Sequence, residues 1–426
     1  MTAPLPLVGI RVLDMGQFWA GPNAGRHWAD AGADVIKVES CRRPDPLRIQ
    51  ARGIYPDHDP GGPKGDHWNR SGMVNERNRN KRSLAIDLTS PRGREIFLQL
   101  VSHADVVSQN YSSRVMPSLG LGYDTLSEVN PRLIMISLMS QGLTGPESDY
   151  VSYGQNLEQL SGISYFSGYP DDEESVALAL PDPLGGASAA LAVAAGLRHR
   201  DATGRGLHID LSQRETASLV VGDALVAHSL GGHPARLGNH EPGANPSDCY
   251  PTRGEDRWVA ISIRSDDDWA RLCEAIDQPE LMTDSRYVSI VGRRRHRAEL
   301  DALIGRWTSQ LDHQTAMERL QRLGIAAAAV LNPRELFRDK HLRQRGFWES
   351  TTDYSAGEQE YTGRPMRLSQ TPYGGRTPTP GLGQHNREIL GELLGMEDTE
   401  LDALEAESVI GTEPILSASG GMAVAR

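Results

Sequence analysis

Apolar residues along this chain gather in short runs, and the runs alternate with stretches of helical spacing. GIRVLDM (9–15) and DVIKVE (34–39) are runs of strand type. Between them the pattern predicts a Gly/Pro-punctuated turn over 16–25, a helix over 26–31 and a stop at Gly32. Residues 78–88 lead into a further strand, PRGREIFLQLVSHA (91–104) is an amphipathic helix with proline near its start, and ADVVSQN (104–110) and RLIMISL (132–138) are further strands. Strands that alternate with helices through short links predict an α/β fold with a doubly wound parallel sheet. Such folds often bind dinucleotides, but glycines 16, 21 and 25 do not form the GxGxxG fingerprint, so NAD and FAD are set aside.

Further along, TGRGLHIDLSQRETA (203–217) reads as turn, strand and helix, and DRWVAISI (256–263) as an alternating strand. Helices are predicted near 266–277, 293–310 and 313–323, then a strand at IAAAAVL (325–331) and a polar helix pair over 390–407. These shifts divide the chain into a large α/β domain over 1–224, a smaller α+β domain over 225–330, a return to the first over 331–410 and a frayed tail over 411–426. Residues 44–75 and 236–250 are rich in Gly, Pro and polar residues and read as binding loops.

Composition narrows the classes. A chain of 426 residues exceeds one ordinary core, which agrees with two domains. The net charge of −12 argues against a nucleic-acid partner, yet leaves room for a local basic pocket. No apolar run reaches the roughly 20 residues of a membrane span, and the N-terminus lacks the pattern of a signal peptide. Three scattered cysteines suit a reducing cytoplasm. No His/Cys/Asp/Glu set has metal spacing, so no metal is expected, and no GxSxG elbow is present.

The chemistry concentrates at LPDPLGGASAALAVAAGL (180–197). Asp182 stands between two prolines, ahead of Gly185-Gly186 and a long run of small apolar residues. Pro183 suits the first turn of a helix, which puts Asp182 at or just before a helix N-terminus. The plain reading is an N-cap. Two features argue for more: the glycine pair lets backbone approach a ligand, and a helix apolar all round is buried, so the carboxylate would stand at a pocket wall. Arg79, Lys81 and Arg82 precede a strand, either as solvated surface or as a phosphate clamp.

Taken in order, GIRVLDMGQFWAGP, ADVIKVE, NRNKRSLAIDL, ADVVSQNYSSRVMPSLGLGYDTL, NPRLIMISL, the 181–217 block and PTPGLGQHN resemble the family III (carnitine dehydratase/bile-acid-inducible) CoA-transferases across residues 7–410. The RVM-x-x-x-GLGY block and YGQNLEQLSG are most similar to the subgroup with benzylsuccinate CoA-transferases. The resemblance implies two chains interlocked as a homodimer, a CoA thioester as substrate with no tightly bound cofactor, and a nucleophile at Asp182. A carboxylate that attacks an acyl-CoA would form a mixed anhydride and then an aspartyl-CoA thioester, and an incoming acid would reverse the sequence. The donor in the resembling subgroup is often succinyl-CoA.

The oxyanion of such an attack needs donors, for which the backbone of Gly185 and Gly186 or the loop around Gly238 and Gly243 are candidates, with Gln17 nearby. The resemblance further implies that Gln17, Phe18, Trp19 and Ala20 line the CoA path, that Asn110 lies near CoA, and that Arg42, Arg43, Arg48, Lys81 and Arg82 are phosphate candidates. The arginines the family carries after that asparagine are Ser112 and Ser118 here, with Arg114 in their neighbourhood. An acyl-CoA racemase of the same fold is the alternative. Its histidine position corresponds to Tyr153, and a neutral phenol is a poor base at pH 7. A non-catalytic subunit of a heteromeric transferase is the third reading.

Overall fold

The computed structural model describes residues 4–49, 66–171, 178–353, 355–371 and 377–415. Within it the chain forms two compact units, one of Met1–Ile163, Ala177–Val226 and Gly346–Arg426, the other of Ser164–Val176 and Ala227–Arg345.

The first unit is built on β1 (Arg11–Asp14), α1 (Ala20–Asp30), β2 (Asp34–Glu39), α2 (Gly72–Arg77), β3 (Lys81–Ala85), α3 (Pro91–Ser102), β4 (Val106–Gln109), β5 (Ile134–Met139), α4 (Gly154–Leu160), α5 (Pro181–Thr203), β6 (Leu207–Ser212) and α6 (Gln213–Ser218). Six strands pair in the order β3-β2-β1-β4-β5-β6, all parallel. Helices cover both faces, so β2, β4 and β5 are buried almost throughout, and β5 is a nearly continuous apolar run. One core layer gathers Leu13, Ile36, Phe97, Leu100 and Val107. The other packs Val12, Val35, Val106 and Ile136 under α1 and α5 through Ala24, Trp28, Ala189 and Val193.

Two sequence expectations shift here. The first helix begins at Ala20 and not at 26. Pro22 falls in its first turn, where a missing N–H costs nothing. Gly25 sits inside it because a Cβ there would stand 2.3 Å from Asp14 Oδ2 and 2.7 Å from Lys81 Nζ. The α5 helix is buried along one face only, through Gly185, Gly186, Ala189, Val193, Gly196 and Leu197. Its small residues serve close approach to α1, where a Cβ on Gly186 would stand 2.7 Å from Asn23 Nδ2. The opposite face is open, and Leu191 is 73% exposed.

The second unit carries β7 (Ser247–Pro251), β8 (Trp258–Ser262), α7 (Asp266–Ala275), α8 (Arg297–Thr308), α9 (His313–Arg322) and β9 (Ala326–Ala329). Its antiparallel sheet β7-β8-β9 shares a core of Val259, Ile261, Trp269, Leu272, Leu300 and Leu320 with the helices. Gly238, at φ 59°, belongs to this unit and leaves room for the Tyr169 ring. After Arg345 the chain is back in the first unit. It adds the hairpin β10 (Trp348–Asp353) and β11 (Gly357–Thr362), then α10 (Asn386–Leu394) and α11 (Asp398–Ala406). Of the 44–75 excursion, 50–65 lies outside the described residues, as does the tail from 416. Among the described residues no helix is long and apolar enough to cross a membrane.

Candidate active site

In an open parallel sheet the chain order reverses between two neighbouring strands, and loops at their C-terminal ends part to leave a crevice. Here the reversal lies between β1 and β4. A cavity of about 360 Å³ opens beside it, lined by the loop after β1 (Gln17–Trp19), by Asn110–Ser113 after β4, by Met139 and Ser140 at the end of β5, and by Tyr150–Tyr153, Asp182 and Gln213.

The loop after β1 is held from below by buried charges. Phe18 has φ 60°, a left-handed conformation unusual for a bulky residue. Its N–H donates to both carboxylate oxygens of Asp45 at 3.2 Å, and Asp45 is buried and paired with Lys37 at 3.3 Å. Asn110 grips the preceding residue twice, accepting from Gln17 N–H at 2.7 Å and donating to Gln17 O at 2.9 Å. The Phe18 ring then meets Tyr153 edge-on, with centroids 5.4 Å apart. Trp19 lies under the Arg77 guanidinium at 4.3 Å.

Asp182 is placed from the other side. Leu180 precedes the first turn of α5, so Asp182 is the second residue of the helix rather than its cap, and its side chain makes no capping bond. Ahead of it Ala179 has φ 57°. That turn is fixed by Glu158 of α4, whose buried carboxylate accepts from Leu178 N–H at 2.9 Å and Leu180 N–H at 2.8 Å. Gly154 makes room for the nucleophile candidate, since a Cβ there would stand 2.6 Å from Asp182 Oδ2. Burial pushes the Asp182 carboxyl up to about 6, Arg77 opposes this, and the negative charge of Glu158 adds to it. A carboxylate held this way is partly desolvated but still ionised at pH 7.

Several sequence candidates have other duties. Lys81 is fully buried, and its three protons go to Asp14 Oδ2 at 2.7 Å and to Pro22 O and Asn78 Oδ1 at 2.9 Å. Arg82 forks onto Asp34 at 2.6 and 3.0 Å and also meets Glu388 and Glu392. Arg48 is sealed against Glu39, and Arg42 pairs with Asp87 at 2.8 Å. Lys81 has no donor left for a phosphate, and the Arg48 side chain is fully buried, out of reach of one. Ala20, the first residue of α1, is buried in the core and is not among the residues that line the cavity. Gly185 and Gly186 lie one turn inside α5, where backbone N–H groups are spent on the helix itself, so what their small size serves is packing against Gln213 and Asn23. Arg43 and Arg114 are exposed, and Arg114 directly follows the cavity-lining Ser112 and Ser113.

Asp45, Arg77, Glu158 and Gln213 all bear on this site and escaped the sequence reading. A lone acid in the apolar spacing of YGQNLEQL was the available signal for Glu158. For Gln213 it was position alone, since a residue just past a predicted strand of a parallel sheet lies at the edge where ligands bind.

Comparison with known proteins gives a consistent result. The model of CoA-transferase family III matches residues 7–386. The succinyl-CoA–D-citramalate CoA-transferase of Chloroflexus aurantiacus is 35% identical over 409 residues, spanning 96% of this chain and 98% of that one. The beta subunit of succinyl-CoA–L-malate CoA-transferase from the same organism is 32% identical over 414 residues, spanning 96% and 99%. Among solved structures, a CAIB/BAIF family protein from Brucella suis superposes with a TM-score of 0.82 at 28% identity, covering 92% of this chain and all of that one.

Proposed function

The chain belongs to CoA-transferase family III, enzymes that move coenzyme A from an acyl-CoA to a carboxylic acid, and we propose that Asp182 is the nucleophile of that exchange. The observation that carries this is the Asp182 carboxylate standing on the wall of the cavity at the sheet's reversal point, partly desolvated and clear of any capping bond.

In the proposed sequence an Asp182 oxygen attacks the thioester carbonyl carbon. The C–S bond breaks, CoA thiolate leaves, and a mixed anhydride remains. The thiolate then attacks the aspartyl carbonyl, which releases the first acid and leaves an aspartyl-CoA thioester. The second acid attacks that thioester carbonyl and expels CoA thiolate, which leaves a second mixed anhydride; the thiolate then attacks the acyl carbonyl of this anhydride, which forms the new acyl-CoA and frees the Asp182 carboxylate. The desolvated site strengthens a carboxylate nucleophile, which water would otherwise stabilise.

Gln17, Phe18 and Trp19 line the path of the thioester in this reading, Asn110 shapes that loop, and the exposed Arg42, Arg43 and Arg114 are the accessible cations for the CoA phosphates. Succinyl-CoA is the donor of choice, because it stands in the names of both transferases compared above. The acceptor is a small carboxylic acid. Tyr153 in place of a histidine disfavours proton abstraction at an α-carbon, and its ring instead walls the cavity with Phe18.

Assembly with a second copy is part of the proposal. The open face of α5 with Leu191, and Leu219 at 80% exposure, would be covered in a dimer. A heteromeric assembly is the second reading, favoured by the relative named as a beta subunit.

The test is to mix the purified chain with succinyl-CoA, quench with hydroxylamine and map the peptides. An aspartyl hydroxamate at Asp182 supports the reading. Full transferase activity in Asp182→Ala overturns it, and activity that appears only with a second, different chain supports the heteromer.

A further inference from the structure

An attack by Asp182 builds negative charge on the acyl carbonyl oxygen, and that oxygen needs a hydrogen-bond donor fixed in advance. The glycine backbone of α5 cannot serve, since its N–H groups lie inside the helix. Gln213 is differently placed. It opens α6 at the end of β6, is 6% exposed, and lines the same cavity as Asp182. Its side chain lies on the first turns of α5, so close that a Cβ on Gly185 would stand 2.9 Å from its Cγ. Gly185 is three residues on from Asp182, on the same helix face.

The Gln213 amide makes no side-chain hydrogen bond among the described residues. Its oxygen is sealed from solvent without a partner. A buried unpaired amide oxygen is unfavourable and calls for an explanation. With that oxygen sealed, the end of the amide left for the cavity is the Nε2 amino group. Of the other cavity amides, Asn110 is spent on the Gln17 backbone, and the Gln17 side chain stands on the loop after β1 rather than against the helix that carries Asp182.

We propose that Gln213 is a catalytic residue whose Nε2 donates to the acyl carbonyl oxygen as Asp182 adds to the carbonyl carbon. The C–O bond to Asp182 forms, the carbonyl π pair moves onto the oxygen facing Nε2, and its return expels the CoA thiolate as the C–S bond breaks. No proton is transferred by Gln213. The same donor serves each later carbonyl addition at this position. The proposal rests on Asp182 as nucleophile.

The experiment uses Gln213→Met and Gln213→Glu in the full chain, with single-turnover modification of Asp182 by succinyl-CoA, read as hydroxamate, alongside steady-state kinetics. The expected result is a loss of about 10²–10³-fold in the rate of Asp182 modification in both variants, with KM within about threefold of the parent. Gln213→Glu keeps the shape against Gly185, so it still reports if the methionine variant fails to fold. A folded variant of either kind that modifies Asp182 at the parent rate overturns the role of Gln213 and leaves Asp182 standing. Absence of hydroxamate at Asp182 in the parent chain overturns the nucleophile instead. A loss confined to KM is also against the proposal, because it would mean ground-state contact only.

Discussion

Replacing Asp182 by asparagine should make the protein more stable while it abolishes transfer. The carboxyl ordinarily titrates at 3.8 and is held at about 6 in the fold, mainly by burial. Ionising it in the folded chain is therefore harder than in the unfolded chain, by at most about 3 kcal/mol. Contact with solvent at the cavity trims this to about 1–3 kcal/mol. The sign follows from the raised value. Below pH 3.8 the group is protonated in both states and opposes nothing. As pH rises from 3.8 through 6 the unfolded chain ionises first, and the penalty on folding grows to its full size above 6. Asparagine keeps the shape without the charge. Asp182→Asn should thus melt about 1–4 °C above the parent at pH 8, at roughly 1–2 °C per kcal/mol for a chain of 426 residues, and close to the parent at pH 4. Calorimetry of both proteins across that range is the assay. The same desolvation should give the parent an acidic limb in kcat/KM near 6, with about a tenth of Asp182 ionised at pH 5. A melting difference that does not change between pH 4 and 8 would refute the claim that Asp182 stands desolvated at the cavity.

Two further substitutions probe the support around it. Glu158→Gln removes the negative charge that helps raise Asp182 and one acceptor for the Leu178 and Leu180 N–H groups. The acidic limb should move below 6, and stability should fall by about 1–3 kcal/mol, read by a pH profile and by urea unfolding. Gly154→Ala places a methyl 2.6 Å from Asp182 Oδ2, so the carboxylate must move. kcat should fall by about tenfold or more, and circular dichroism should show the fold intact.

The parallel sheet was legible because its strands are buried on both faces and carry short β-branched or apolar stretches such as VIKV and LIMISL between helical spacings. The position of Asp182 was legible because proline, glycine and small residues cluster around one acid. The duties of the cations were not. Lys81 and Arg82 look alike in sequence, yet one points to Asp14 and the other to Asp34, partners 67 and 48 residues away. Strand pairing decides that, and no local pattern records it. The start of α1 was hidden for a related reason: Gly25 reads as a breaker, while its lack of a side chain answers to a carboxylate and an ammonium from other strands. Glu158 and Gln213 were missed because their use depends on neighbours some twenty to thirty residues away along the chain.

Two left-handed residues, Phe18 in the cavity wall and Ala179 in the turn ahead of Asp182, are each restrained by a carboxylate, Asp45 for one and Glu158 for the turn of the other. Neither of those acids is among the residues that line the cavity. Holding and contacting are thus assigned to different side chains. Exchanges at positions 18 or 153 can reshape the chamber while the backbone that frames it stays anchored from behind.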